Sequence, residues 1–314
     1  MDISKENVKL FYQFITERQN IWHRRFIEHK PYPWTSDLTL NQYKFTNVFR
    51  VLDPGTQLLF TDILNQKASD VDKLFNCFIY RIFNKIDTYR LNGFVRLDDY
   101  KLEDFQQKVK DFRAKGNTVF TSAFMVTGNI HLETKDKVEK YCKVIQDIQR
   151  KLPLLYTIVK EKNLNMKGCY DMFIQFEGIG KFLSYQIMLD AMYDGVLSYS
   201  ENDWSFAFLG CSRGLKHVFP DLDMNDDVEC LGAMRWLHEH QREYLEPLNF
   251  KSLGAYPLAN GLVYDGTTIS LSNIENCLCE FSKYMKTKLG QGRPRVLYKP
   301  KSSELHENHT LLSF

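Results

Sequence analysis

Two glycines one residue apart, in Phe176-Glu177-Gly178-Ile179-Gly180-Lys181, separate stretches that read as short helices, Tyr170 to Phe176 and Lys181 to Tyr193. Glycine permits positive φ and close approach of the backbone to a neighbour. The start of the second helix adds unsatisfied N–H donors and the positive end of a helix dipole. Together these suit a nucleic-acid phosphate, with Lys181 as a further contact. Downstream stands the lone acid of Asn202-Asp203-Trp204. There an acid either caps a helix running from Trp204 to Phe208 or presents a free carboxylate beside an indole.

A second set of residues lies near the start of the chain, in Pro33-Trp34-Thr35-Ser36-Asp37 and in the run from Tyr43 to Asp53. If Leu38 to Val51 is helical, Thr46 and Arg50 share one face and Asn47 is adjacent, while Phe45, Val48, Phe49 and Leu52 suit the core. A polar Asn47 and Arg50 stripe beside the aromatic rings of Trp34 and Phe45 is what a pocket reading a base edge and its phosphate would need. The competing reading is an Arg50 to Asp53 ion pair that joins two helices.

Other groupings carry less. His238-Glu239-His240 lacks the spacing of a helical metal site, since residues two apart point to different sides. Cys277 and Cys279 share that fault and read as core thiols. No metal and no cofactor is expected. Seven scattered cysteines without CxxC spacing argue against a disulfide framework, a zinc cluster or an iron–sulfur centre. Glu280 and Lys283 are placed to pair along a helix. A Gly-x-x-x-x-Gly-Lys-Ser/Thr motif is absent from the sequence, which argues against a nucleotide kinase.

The elements that must position these residues read as helix after helix. Amphipathic patterns run over Asn7 to Arg25, Thr56 to Gln66, Val71 to Ile86, Leu102 to Lys115, Lys135 to Gln149 and Asp226 to Tyr244. Thr118 to Thr127 is richer in β-branched and aromatic residues and reads as extended. So does Ala255 to Tyr264, with Asn260-Gly261 as a hairpin turn. At 314 residues, 44% hydrophobic and 14% aromatic, the chain can bury a large core. The expected fold is mainly all-α, with at most a small β-hairpin. It reads as a single domain whose two packed lobes divide near Pro153, residues 1–152 and 153–314. No apolar run long enough to span a bilayer and no signal peptide is found, so a cytoplasmic protein without membrane contact is expected, and a monomer. The formal net charge is only +2, but Lys286, Lys288, Arg293, Arg295, Lys299 and Lys301 form a basic run without an acid. That run reads either as a path for a phosphate backbone or as a solvated tail.

The glycine pair followed by Asp203 resembles the helix-hairpin-helix DNA glycosylase superfamily, with the hairpin over 170–193. The blocks Pro33 to Asp37 and Tyr43 to Asp53, with Asn276-Cys277-Leu278-Cys279-Glu280-Phe281-Ser282-Lys283-Tyr284, resemble the helical domain of the 5-hydroxymethyluracil DNA kinases, also called the glutamyl/putrescinyl-thymine pyrophosphorylase group. Gly210-Cys211-Ser212-Arg213-Gly214 stands where that family carries a glycine-rich loop. The resemblance spans nearly the whole chain. It implies a glycosylase-like helical fold acting on modified bases in DNA of the phage type. On it rests the expectation of a DNA glycosylase that flips out and excises a modified pyrimidine, an anti-phage hydrolase with Asp203 stabilising charge on the sugar and Trp204 beside it. The lysine of bifunctional glycosylases is replaced by Phe182, which implies a monofunctional enzyme. The alternative is a base-hypermodification transferase that displaces pyrophosphate from activated 5-hydroxymethyluracil with an amine, for which Arg213 could hold the leaving anion.

If Lys181, Arg213 and the basic run contact phosphates, DNA affinity should fall steeply with rising salt. Fluorescence anisotropy across a salt series checks this, and a flat response would remove the phosphate contacts.

Overall fold

A computed structural model describes residues 4–121, 126, 134–292 and 296–300. Among them are twelve α-helices and one two-stranded sheet. The mainly helical fold with a small hairpin is the one expected. The chain clusters into two compact units: Met1–Asp53, Ser205–Tyr256 and Asp265–Phe314 form the first, and Pro54–Trp204 with Pro257–Tyr264 the second. Pro153, where a division was expected, lies inside an unbroken helix.

The first unit is built from α1 (Lys5–Phe26), α2 (Leu38–Gln42), α10 (Leu209–Val218), α11 (Asp227–Leu245) and α12 (Leu271–Lys288). Helix α1 buries Val8, Phe11, Tyr12, Phe14 and Ile15 and packs on α10, α11 and α12. Ser4, Asp37, Asp226 and Ser270 cap α1, α2, α11 and α12 by accepting from N–H groups of the first turn. The glycine-rich block Gly210 to Gly214 is the body of α10 rather than a loop, and its glycines serve a close helix crossing. A Cβ on Gly214 would strike the carbonyl oxygen of Leu278 and lie 2.7 Å from its carbonyl carbon, and one on Gly210 would strike Cys279 Sγ.

The second unit contains α3 (Pro54–Leu58), continued by one π-helical stretch, Leu59–Leu64, then α4 (Asp70–Phe83), α5 (Ile86–Arg90), α6 (Leu102–Ala114), α7 (Lys137–Glu161), α8 (Met166–Phe173) and α9 (Lys181–Met192). At its centre is α4, where every residue from Leu74 to Phe83 is buried. A helix apolar on all sides belongs in a core, and α7 and α9 flank this one. Its one charged group in that run, Arg81, donates to both carboxylate oxygens of Asp190 on α9, at 2.7 Å for Nη2. The strands β1 (Gly254–Pro257) and β2 (Val263–Gly266) bracket the expected Asn260-Gly261 turn. Within the second unit Asn260 Nδ2 donates to Asp194 at 3.1 Å, and Tyr264 donates to Glu201 at 2.7 Å.

Two expected elements differ among the described residues. Of Thr118 to Thr127, residues 118–121 and 126 carry no strand, and the others lie outside the described residues. The helix expected over Leu38 to Val51 stops at Gln42, because Tyr43 to Phe49 run extended or bent until a 3-10 turn at Arg50–Leu52.

The Gly214 crossing predicts opposite outcomes for two alanines. Gly214→Ala should destabilise by about 1–3 kcal/mol or more through overpacking against backbone. Gly232→Ala, in α11 with open space around it, should stabilise by roughly 0.5–1 kcal/mol through helix propensity. Urea unfolding of both variants checks this, and an undisturbed Gly214→Ala would show that the helices are not in contact.

Candidate functional site

The sequence-predicted site residues fall into two groups. Gly178, Gly180, Lys181, Asp203 and Trp204 belong to the second unit, and Trp34, Phe45, Asn47, Arg50 and Arg213 to the first.

In the second unit the glycine pair does join two helices, α8 and α9. Gly178 has φ +79°, the left-handed region, so only this glycine is required for its conformation. Gly180 is the N-cap residue of α9 at φ −83°. The turn closes through Ile179 N donating to Phe176 O at 3.1 Å, and it is anchored by buried Phe176, whose ring meets Phe78 edge-on at 5.3 Å. Lys181 is exposed at the first position of α9. Trp204 packs on this hairpin, with ring centroids 4.8 Å from Tyr170 on α8 and 6.0 Å from Tyr185 on α9. Asp203 is exposed, and its Oδ2 accepts from Ser200 N at 2.9 Å. It therefore closes a turn behind it rather than capping a helix ahead: residues 204–208 are not helical, and α10 begins at Leu209.

In the first unit the stretch Tyr43 to Asp53 has neither a helix nor an internal ladder, so its backbone groups must find partners elsewhere. Arg18 of α1 donates through Nη2 to the carbonyls of Phe45, at 3.2 Å, and of Thr46. From α12, Asn276 Nδ2 donates to Thr46 Oγ1 at 3.1 Å and to Asn47 O at 3.3 Å, while Asn273 Oδ1 accepts from Arg50 N at 3.0 Å. The two sequence blocks thus meet, though more than two hundred residues apart. Thr46 and Arg50 do not share a helix face, because there is no helix there. Asp53 is bonded to Asn47 instead: its Oδ1 accepts from both N and Nδ2 of that residue, each at 3.0 Å. Phe45 is a core ring, 6.0 Å from Phe14 and under the Arg18 guanidinium at 5.7 Å. Arg213 is exposed on α10.

These contacts gather charge around Arg50 and Glu280, and of that set the sequence reading missed Arg18 and Glu275. Arg18, Arg50, Glu275 and Glu280 are each less than a tenth exposed, and Glu280 pairs with Lys283 as its spacing suggested. Burial pushes Asp53 up to about 6, against the opposing pull of the Asn47 bond, Arg50 and Arg18. Burial pushes Glu275 higher, to about 8, with Arg50 opposing and Glu280 adding to the rise. The only signal in the sequence was a set of acids and amides inside apolar blocks.

Trp34 lies close by in chain order. Its indole is buried, donates from Nε1 to Lys30 O at 2.7 Å, and is covered by Arg25 at 5.0 Å and by the edge of Tyr298. With Glu17, Arg24, Lys30 and Asp37 it lines an open cleft of about 490 Å³. The basic run does not leave as a free tail at this point. Lys288 Nζ lies 3.0 Å from Asp37, and Val296 to Tyr298 pair with Gln42 to Lys44. Arg293, Arg295 and Lys301 lie outside the described residues. Among the described residues no group of three or more His, Cys, Asp or Glu is arranged to hold a metal, and no helix is long and apolar enough to cross a membrane.

The raised Glu275 carboxyl has a definite sign for stability. Its ordinary value is 4.5, so between that pH and about 8 the folded chain binds a proton that the unfolded chain releases. The stabilising share is complete below pH 4.5 and is lost as pH climbs through 8. Urea midpoints should carry this fall, and Glu275→Gln should flatten it and gain stability over wild type at pH 8. An unchanged slope in the variant would exclude Glu275 as its source.

Comparison with known proteins agrees with the blocks that meet in the first unit. The sequence model of the 5-hmdU DNA kinase helical domain matches residues 5–293. A 5-hmdU DNA kinase of Bacillus phage SP10 is 28% identical over 293 residues, covering 88% of this chain and 44% of that protein. The chain thus spans less than half the length of this relative. No solved structure matches. The glycosylase expectation is overturned by this match: a hydrolase that excises a base, and with it the anti-phage glycosylase role, gives way to a family named for transfer of a group to 5-hmdU DNA. The hairpin and acid that suggested it are a local geometry shared by proteins of different chemistry. By the extent of the match, this chain belongs to the family of 5-hmdU DNA kinase helical domains.

Proposed function

We propose that this chain serves a transferase acting on 5-hydroxymethyluracil in DNA, changing the substituent at C5 and leaving the glycosidic bond intact. The observation that carries the proposal is the family match across residues 5–293, joined by the similarity to a phage 5-hmdU DNA kinase. The sequence holds no phosphate-binding-loop motif, so the chemistry assigned to these residues is on the acceptor side, holding an extruded base and easing the transfer at its C5 substituent. In the amine form of the reaction, nitrogen bonds to the C5 methylene carbon, the bond from that carbon to the pyrophosphate oxygen breaks, and the amine gives up a proton. Trp34, Asn47 and Arg50 are the proposed base-side contacts of the first unit, with Phe45 behind them and Arg213 for phosphate. In the second unit, Gly178, Gly180 and Lys181 are proposed to bind the DNA backbone, with Trp204 and Asp203 beside the hairpin.

The test uses DNA carrying 5-hydroxymethyluracil, with ATP and magnesium in one arm. A second arm uses DNA carrying the pyrophosphorylated base with an amino acid as amine. Nucleosides are then digested and weighed by mass spectrometry. The expected result is a mass change at C5 with the base still on its sugar. Abasic sites, free base, or unaltered DNA in both arms would overturn the proposal.

A further inference from the structure

We infer that Asp53 takes the proton lost by the attacking nucleophile, with Asn47 as its positioning residue and the Arg18 guanidinium as the neighbouring charge; the inference rests on the transferase reading above. Either nucleophile of that reaction, the hydroxymethyl oxygen or an amine, must lose a proton as its new bond forms, and a positioned carboxylate is a suitable acceptor. In the amine form, the nitrogen lone pair bonds the C5 methylene carbon, the nitrogen–hydrogen electron pair stays on nitrogen, the proton passes to Asp53 Oδ2, and pyrophosphate leaves with the electrons of the carbon–oxygen bond. In the ATP form, the hydroxymethyl oxygen bonds the γ-phosphorus, its proton passes to Asp53 Oδ2, and ADP leaves with the electrons of the broken phosphorus–oxygen bond.

The geometry singles out this acid among those of the first unit. Its Oδ1 is occupied by two donors from one residue, Asn47 N and Nδ2, both at 3.0 Å, which fixes the carboxylate. Its Oδ2 has no hydrogen-bond partner among the described residues, and the side chain keeps part of its surface in solvent. Glu280 is engaged with Lys283, and Glu275 is enclosed. Arg18, nine-tenths buried, uses Nη2 on two carbonyls and leaves Nε without a partner. It thus retains donor capacity beside a carboxylate that shares its field.

The charged groups facing Asp53 are Arg50 from its own segment, Arg18 from α1 and Glu280 from α12, and the titratable thiol of Cys277, also from α12, is kept neutral by burial. Burial outweighs the two arginines and sets the carboxyl near 6, close to the pH at which a base must be both ionised and able to hold a proton. A purely structural Asp53 would tie down the loop through Asn47 and do nothing to a pH–rate profile.

The experiment measures kcat against pH for wild type, Asp53→Asn and Asn47→Ala in whichever arm of the assay above is active, with thermal unfolding and DNA binding of each. Wild type should lose activity below a midpoint near 6. Asp53→Asn should keep fold and binding, lose ~10²-fold or more in kcat, and lose the acid limb. Asn47→Ala keeps the carboxylate and the backbone bond to it but removes the Nδ2 bond that favours its charged form, so its acid limb should move to higher pH. A folded Asp53→Asn with wild-type kcat and acid limb overturns the inference and leaves the transferase reading standing. If that variant does not fold, an unmoved limb in Asn47→Ala overturns it instead. A wild type inactive in both arms overturns the transferase reading and this inference together.

Discussion

Charge removed from water costs several kcal/mol per ion unless counter-charge and hydrogen bonds replace the solvent. In the first unit that requirement shapes everything around the stretch Tyr43 to Asp53. Arg18, Arg50, Glu275 and Glu280 are all buried, and the irregular backbone between α2 and Arg50 is where the demands of Arg18 and its own are met together. Carbonyls that a helix would have used internally accept from Arg18 and Asn276, and the N–H of Arg50 is taken up by Asn273. Helices α1 and α12 must therefore hold fixed places on either flank of this stretch. The absence of a side chain at Gly214 lets α10 back α12 closely enough to keep it there.

The second unit meets the same constraint once, at its centre. Arg81 and Asp190 tie α4 to α9 through two hydrogen bonds. Because α9 is the second helix of the glycine hairpin, this buried pair also fixes the axis along which the turn at Gly178 presents its backbone. The aromatic contacts of Trp204 with Tyr170 and Tyr185 add a brace from the chain that follows. The hairpin is thus a rigid feature of the unit, whatever it contacts. Asp203, exposed and turned back to Ser200, lacks the enclosure that sharpens a catalytic carboxylate.

Long helices were legible because their apolar spacing repeats. The patterns at Asn7 to Arg25, Leu102 to Lys115 and Asp226 to Tyr244 became α1, α6 and α11 within a few residues. The hairpin glycines were legible too, since a left-handed turn leaves few choices at Gly178. Tyr43 to Phe49 was not, because its apolar residues fit a helical period while its stability comes from side chains far away in sequence. No local pattern announces Asn273 or Arg18 as partners of that backbone. For the same reason Asn47 and Arg50 were noticed as polar residues among aromatics, and Glu280 as a partner of Lys283, but the bond between Asn47 and Asp53 and the buried Glu275 were not. Gly210 to Gly214 reads as a loop from its place in the family resemblance, and only the proximity of Leu278 and Cys279 explains the use of its glycines in α10.

The first unit is assembled from three separate stretches of chain, whereas the body of the second, Pro54–Trp204, is continuous. A ribosome delivers a chain from its N-terminus, and domains tend to fold as they emerge. Helix α1 and the stretch to Asp53 emerge well before α12 and cannot be satisfied until it supplies Asn273 and Asn276. Arg18 and its companions therefore remain hydrated while the whole core around α4 forms. Of the buried charged residues in the first unit, the two arginines are thus made long before the α12 acids that share their core.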